Sequence, residues 1–234
     1  MIANRIISDL KKSAEPDFAK WVSPILQVTE GGYGKEDKLL GVRTPKIRLV
    51  AKKYKDIEFE VIELLLHNEY HEVRMLALLI LISRYKNDKY KRGFIVSKYI
   101  ENADYINNWD LVDVSAPNIL GHFVFNSREN ISLLYELARS KHLWKQRIAI
   151  VSTQYLIKQG FYEPTIKLSE YYLSHEHHLI HKAVGWMLRE LGKKDINELY
   201  SFLDKFAKKM PRVMLRYAIE RLDDTQRKYY MDLK

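Results

Sequence analysis

Glu72–Tyr85 reads EVRMLALLILISRY. Its apolar residues fill one broad stripe, with Glu72, Arg74 and Arg84 at the margins, the pattern of a helix packed between neighbours. Similar segments recur at Trp109–Phe123, Trp144–Lys158, Leu179–Gly192 and Met210–Leu222. Shorter amphipathic segments lie between them at Val61–His67, Phe94–Asn102, Ser127–Ser140, Pro164–Leu173 and Ile196–Lys208. Alternation of long and short helices points to a stacked array of helical hairpins.

Composition agrees. The 234 residues, 47% hydrophobic and 29% charged, fit one large domain over 1–234 or two small ones. Nine glycines and six prolines are about half the usual share, which disfavours hairpin-rich all-β folds and glycine-cradle nucleotide folds and leaves an all-α class. Zero cysteines exclude disulfides, cysteine–zinc sites and thiol catalysis. No apolar run approaches the ~20 residues of a spanning helix. The start, MIANRIISDLKKSAEPDFAKW, carries Asp9 and Glu15 and lacks an uninterrupted apolar core, so it reads as neither signal nor transit peptide. A soluble cytoplasmic protein is expected.

The net charge of +9 is uneven: residues 141–221 hold 15 Lys/Arg against 8 Asp/Glu. Such an excess suits either a solvated face or a surface for polyanions, whose phosphates release counterions to clustered cations. Spacing adds detail. Asp113, Arg147, Lys182 and Arg216 are separated by 34, 35 and 34 residues, and the three cations each precede a similar apolar run. In a helical-repeat array these positions form a ladder along one concave surface.

Trp109 lies one helical turn from Asp113, and Lys182 one turn from Trp186, so each pair shares a face. A tryptophan alone usually packs in a core. A charged rung avoids the core because unpaired buried charge is costly, so these indoles belong near the groove; Trp144, near a helix start, reads as packing between repeats. An aromatic pair beside one carboxylate on a basic groove suits cleavage of an N-glycosidic bond. The carboxylate stabilises the oxocarbenium-like sugar cation and orients water, while the indole faces attract the cation.

Other chemistries have weaker support. His177 and His181 are at i,i+4 but lack a predictable third ligand. Asp110 with Asp113 could form a metal pair on a face that also carries Trp109. Ser115, Ser152 and Thr153 lack a paired His. Glu30–Gly41 (EGGYGKEDKLLG) reads as an exposed loop before a helix with Thr44 as N-cap and Pro45 at N1.

Four motifs, LGVRTP at 40–45, NWDLVD at 108–113, LWKQRIAI at 143–150 and HKAVGWMLRE at 181–190, resemble the signatures of the AlkD-type DNA alkylation repair enzymes, in order and across the whole chain. The resemblance implies a superhelix (solenoid) of HEAT-like repeats whose concave face binds duplex DNA. It implies a glycosylase that hydrolyses N3- and N7-alkylated purines from deoxyribose without flipping the lesion. It assigns Trp109, Asp113 and Trp186 to the catalytic cleft, Arg147 to a DNA-backbone contact and Arg189 to a basic position nearby. Arg43 stands where the best-known member has Gln, and no aromatic occupies Ile25–Leu26, where that member has Tyr. With the ladder, the expected DNA-binding set is Arg147, Lys182, Arg189, Arg43 and Arg216. A monomer acting on alkylated duplex DNA is expected, with no cofactor, no metal, no membrane and no obligate protein partner. The alternative is a non-catalytic nucleic-acid-binding or protein-binding scaffold on the same fold.

Overall fold

Buried charge at one end of a long apolar helix organises the N-terminal half. The computed structural model describes residues 2–233, and the chain divides into two compact units, Met1–Ser115 and Ala116–Lys234. The first contains α1 (Ile2–Lys11), α2 (Pro16–Val22), α3 (Thr44–Lys53), α4 (Phe59–Leu66), α5 (His71–Asn87), α6 (Arg92–Glu101) and α7 (Trp109–Ser115). The second contains α8 (His122–Asn126), α9 (Ser132–Arg139), α10 (Leu143–Lys158), α11 (Glu163–Tyr171), α12 (His178–Gly192), α13 (Ile196–Phe206), α14 (Arg212–Ala218) and α15 (Asp224–Asp232). The protein is all-α: among the described residues extended pairing is limited to one isolated bridge between Lys38 and Tyr70. Among the described residues no helix is long and apolar enough to cross a membrane.

Helix α5, the segment that begins EVRMLAL, is buried around almost its whole circumference and packs on α3, α4, α6 and α7. Apolar surface on every side requires such enclosure. Two charges expected at the stripe's margins are instead inside: Glu72 is 5% and Arg74 3% exposed. Helix α3 begins at Thr44, one residue earlier than expected, so Arg43 and not Thr44 occupies the cap position.

In the second unit α10, α12 and α14 contact one another in succession, while α9 and α11 pack on α10 and α13 packs on α12. These three alternate helices carry Arg147, Lys182 and Arg216. The single helix expected over Trp109–Phe123 is broken. Pro117 has no N–H to donate, and Pro117–Gly121 winds as a wider π turn closed by Gly121 N–H on the Ala116 carbonyl before α8 begins.

Gly185 lets α12 approach α14: a Cβ there would lie 2.4 Å from the Met214 carbonyl oxygen and 2.5 Å from Tyr217 Cβ. Gly93, in α6, has open space where a Cβ would stand. Gly185→Ala is therefore expected to destabilise the protein by about 1–3 kcal/mol through overpacking. Gly93→Ala should instead be neutral or stabilising by up to ~1 kcal/mol. Urea denaturation of the two variants measures the contrast.

Candidate active site

The site of interest in the first unit begins with a turn that glycine makes possible. Gly41 has φ +76°, and a Cβ there would lie 2.1 Å from the Glu15 carbonyl oxygen, so only glycine fits both the conformation and the space. The turn is held from below by Glu72. Its Oε1 accepts from Gly41 N at 2.7 Å and Val42 N at 3.3 Å, and its Oε2 accepts from Leu40 N at 2.9 Å. Three backbone donors stabilise the buried charge of the carboxylate, which in turn gives each N–H its acceptor.

Beside it lies a second network. Asp37 Oδ2 accepts from Arg74 Nη2 at 2.5 Å and sits 3.4 Å from His71 Nδ1, and Asp37 Oδ1 accepts from Asn107 Nδ2 at 3.0 Å. His71 Nε2 reaches Asp110 Oδ2 at 2.8 Å. The stretch Glu30–Gly41 is thus not a wholly exposed loop: Gly34, Asp37 and Gly41 are buried, and Asp37 ties it to α5. Although burial opposes its charge, hydrogen bonds from His71 and Asn107 and the Arg74 charge hold the Asp37 carboxyl below its usual range.

Asn107, Asn108 and Asp110 set the start of α7. Asn108 Nδ2 donates to the Leu26 carbonyl at 2.8 Å, and Asn108 Oδ1 accepts from Trp109 N at 2.8 Å. Asp110 Oδ1 accepts from Leu111 N at 2.9 Å. On the face so fixed, Trp109 and Asp113 both line a cavity of about 470 Å³ together with Ile25, Leu26, Val42, Met75 and Arg48. Both residues are half-buried, and the Trp109 indole N–H donates to the Ile25 carbonyl at 3.4 Å.

The cavity also has two aromatics that no spacing in the sequence indicated, Phe18 and Trp21 of α2. Their rings stack at 5.6 Å with a 22° tilt, and Trp21 is 63% exposed. Neither Ile25 nor Leu26 supplies an aromatic, yet both line the same wall. The aromatic content of that wall comes from residues one or two turns earlier. The only sequence signal was an apolar Phe and Trp in a helix too short to show a period.

The remaining expected residues lie apart in kind. Arg43 is exposed, with its Nε on Glu15 at 3.0 Å and its guanidinium 4.3 Å above the Phe18 ring. In the second unit Trp186 and Lys182 are half-buried and Arg216 is exposed. Two of the expected cations are not open. Arg147 is 4% exposed and donates from Nη1 to the Leu179 carbonyl at 2.8 Å, and Arg189 is held by Glu220. Trp144 is buried, and the hydroxyls of Ser115, Ser152 and Thr153 are buried on backbone carbonyls. His177 Nδ1 accepts from Leu179 N at the start of α12, and His181 Nε2 bonds the His175 carbonyl.

The family model described as DNA alkylation repair enzyme matches residues 6–222. Among solved structures, one of a predicted DNA alkylation repair enzyme from Enterococcus faecalis superimposes with a TM-score of 0.74 at 16% identity, covering 91% of this chain and 98% of that one. At that identity the likeness concerns the fold. No curated protein matches the sequence.

Within the cavity floor, Glu72→Ala is expected to leave the N–H groups of Leu40, Gly41 and Val42 without their acceptor. A loss of about 3 kcal/mol or more follows, since each orphaned buried donor costs about 1–3 kcal/mol. Chemical denaturation reads the loss, and proteolysis should cut first in the 30–42 segment.

Proposed function

Because the chain belongs to the family of DNA alkylation repair enzymes, we propose that it is a monofunctional DNA glycosylase. It hydrolyses the N-glycosidic bond of N3- and N7-alkylated purines in duplex DNA, acts as a monomer without metal or cofactor, and leaves the lesion in the stack. The observation that carries this reading is Asp113 and Trp109, on one face of α7, lining a cavity whose other walls are largely apolar and aromatic.

Alkylation at N3 or N7 makes the base a cation, so it departs neutral when the C1′–N bond breaks with its electron pair, and no general acid is required. The positive charge passes to the sugar. There the Asp113 carboxylate lowers the energy of the oxocarbenium-like transition state more than that of the ground state, which is the condition for catalysis. The Trp109 face adds attraction of about 0.5–2 kcal/mol for a cation that is partly desolvated. Water then bonds to C1′ and gives up a proton, with Asp113 placed to orient it. Apolar walls strengthen each of these electrostatic effects by keeping bulk water out. By its match to the family motif, Trp186 of the second unit packs on deoxyribose. Lys182 and Arg216 supply phosphate contacts from a segment with a surplus of cations. The enclosure of Arg147 and the Glu220 pairing of Arg189 fit a supporting part for these two better than a lead in phosphate binding. A DNA-binding protein in this family works wherever the cell keeps its DNA, which in a cell without a nucleus is the cytoplasm.

Asp113→Asn keeps size and shape while removing the charge. It is expected to bind methylated duplex like the parent and to release 7-methylguanine ~10²-fold or more slowly, a typical loss for a transition-state electrostatic contact. Chromatography of free bases measures the rate. Equal release by the variant rejects the role of Asp113. Binding without release from any alkylated duplex, by the parent protein itself, favours the non-catalytic scaffold.

A further inference from the structure

His71 opens α5 with its side chain almost fully enclosed, 2% exposed, and each ring nitrogen faces a carboxylate. Nε2 is 2.8 Å from Asp110 Oδ2, and Nδ1 is 3.4 Å from Asp37 Oδ2. A neutral imidazole has one N–H, so one of these contacts would set a lone pair against a carboxylate oxygen. Only the imidazolium donates to both. The charged groups around it are Asp37 from the preceding loop, Asp110 from α7, and Arg74 and Glu72 from α5 itself. Glu72 is occupied by the three N–H groups of Leu40–Val42, and Arg74 by Asp37, Asn107 and the Asn68 carbonyl. The imidazolium therefore lies between two carboxylates with one guanidinium nearby.

Both oxygens of Asp110 are engaged, Oδ2 by His71 and Oδ1 by the N–H of Leu111. Asp110 adjoins Trp109 and precedes Asp113 by three residues, so whatever fixes Asp110 fixes the face on which both stand. The same turn is gripped by Asn107 on Asp37 and Arg74, and by Asn108 on Leu26. His71 and Asp110 also line the cavity beside Trp109 and Asp113.

We propose that His71 is a positioning residue for the reaction: its imidazolium, clamped between Asp37 and Asp110, holds the first turn of α7 so that Trp109 and Asp113 keep their place at the cavity wall. This rests on the glycosylase reading above. His71 does not touch the substrate; it acts through Asp110. The electrostatics agree with the geometry. Burial pushes the imidazole down, but the Asp110 charge and the hydrogen bonds to Asp110 and Asp37 outweigh it, with Arg74 opposing, and the group is held up at about 9. A raised value means that the clamp is complete below the ordinary histidine range near 6.5 and is lost as pH rises through about 9.

The test uses the full chain and two readouts. Histidine ring-proton NMR follows His71 from pH 6 to 10.5, its signal identified by loss in His71→Gln or, should that variant not fold, by its shift in Asp110→Asn. Release of 7-methylguanine is measured over the same range against enzyme-free blanks, with circular dichroism showing that the fold persists. The expected result is a His71 midpoint near 9 and a kcat that falls about tenfold between pH 8 and pH 10 at little-changed KM, as one titration near 9 requires. In Asp110→Asn the midpoint drops toward or below the ordinary histidine value, and the fall in kcat moves with it. A His71 midpoint at or below 6.5 in the parent chain overturns the clamp, as does a kcat that stays level across the midpoint. Absence of any base release by the parent protein at every pH overturns the glycosylase reading instead, while the NMR midpoint still decides whether the clamp is charged.

Discussion

Three backbone N–H groups converge on the carboxylate of Glu72, and the rest of the first unit follows from satisfying it and the charges beside it. Glu72, Arg74 and His71 stand at the start of a helix otherwise almost wholly apolar and buried. Charges taken out of water there must find partners, because a lone buried ion costs several kcal/mol. The partners come from far along the chain: the 37–42 turn for Glu72 and Arg74, the 107–110 turn for Arg74 and His71. Satisfying α5 draws together the glycine turn before α3 and the first turn of α7, which form two walls of the cavity.

Function is placed by the same constraint. Trp109 and Asp113 are ordinary residues on a short helix of seven, too short to hold its own shape in water. Its orientation comes from packing on α5 and from the asparagine and aspartate contacts at its start. A carboxylate meant to meet a transient sugar cation has to be in position before the cation forms, and pre-positioning is what makes such a contact catalytic. The buried network thus has a chemical consequence as well as a structural one, although every ion pair in it is a weak argument for stability when taken alone.

Much of this was legible in the sequence. The apolar stripe of residues 72–85, the scarcity of Gly and Pro, and the recurrence of long amphipathic segments gave the all-α class, and the 34- and 35-residue spacings fall on successive contacting helices of the second unit. Trp109 and Asp113 share a cavity, as their one-turn spacing implies. The buried network was not legible. Asp37 is separated from Arg74 by 37 residues and from Asn107 by 70, and periodicity within a helix carries no record of such pairs. A faint signal existed in Glu72 and Arg74, two charges embedded in an apolar run. A charge with apolar neighbours on both sides is either at a boundary or paired in the interior. Neither the ladder position of Arg147 nor the motif match of Arg189 carries the contacts that set how open each is, a carbonyl of α12 for Arg147 and Glu220 for Arg189. Phe18 and Trp21 stand on α2, whose seven residues are too few to show a period.

The most direct test is to incubate the protein with duplex DNA methylated at purine N3 and N7 and to identify the free bases by chromatography. Release of 3-methyladenine or 7-methylguanine above spontaneous depurination, leaving abasic sites and an untouched unmethylated control, is the result this account predicts. Tight binding to the same DNA with every methylated base still attached would contradict it.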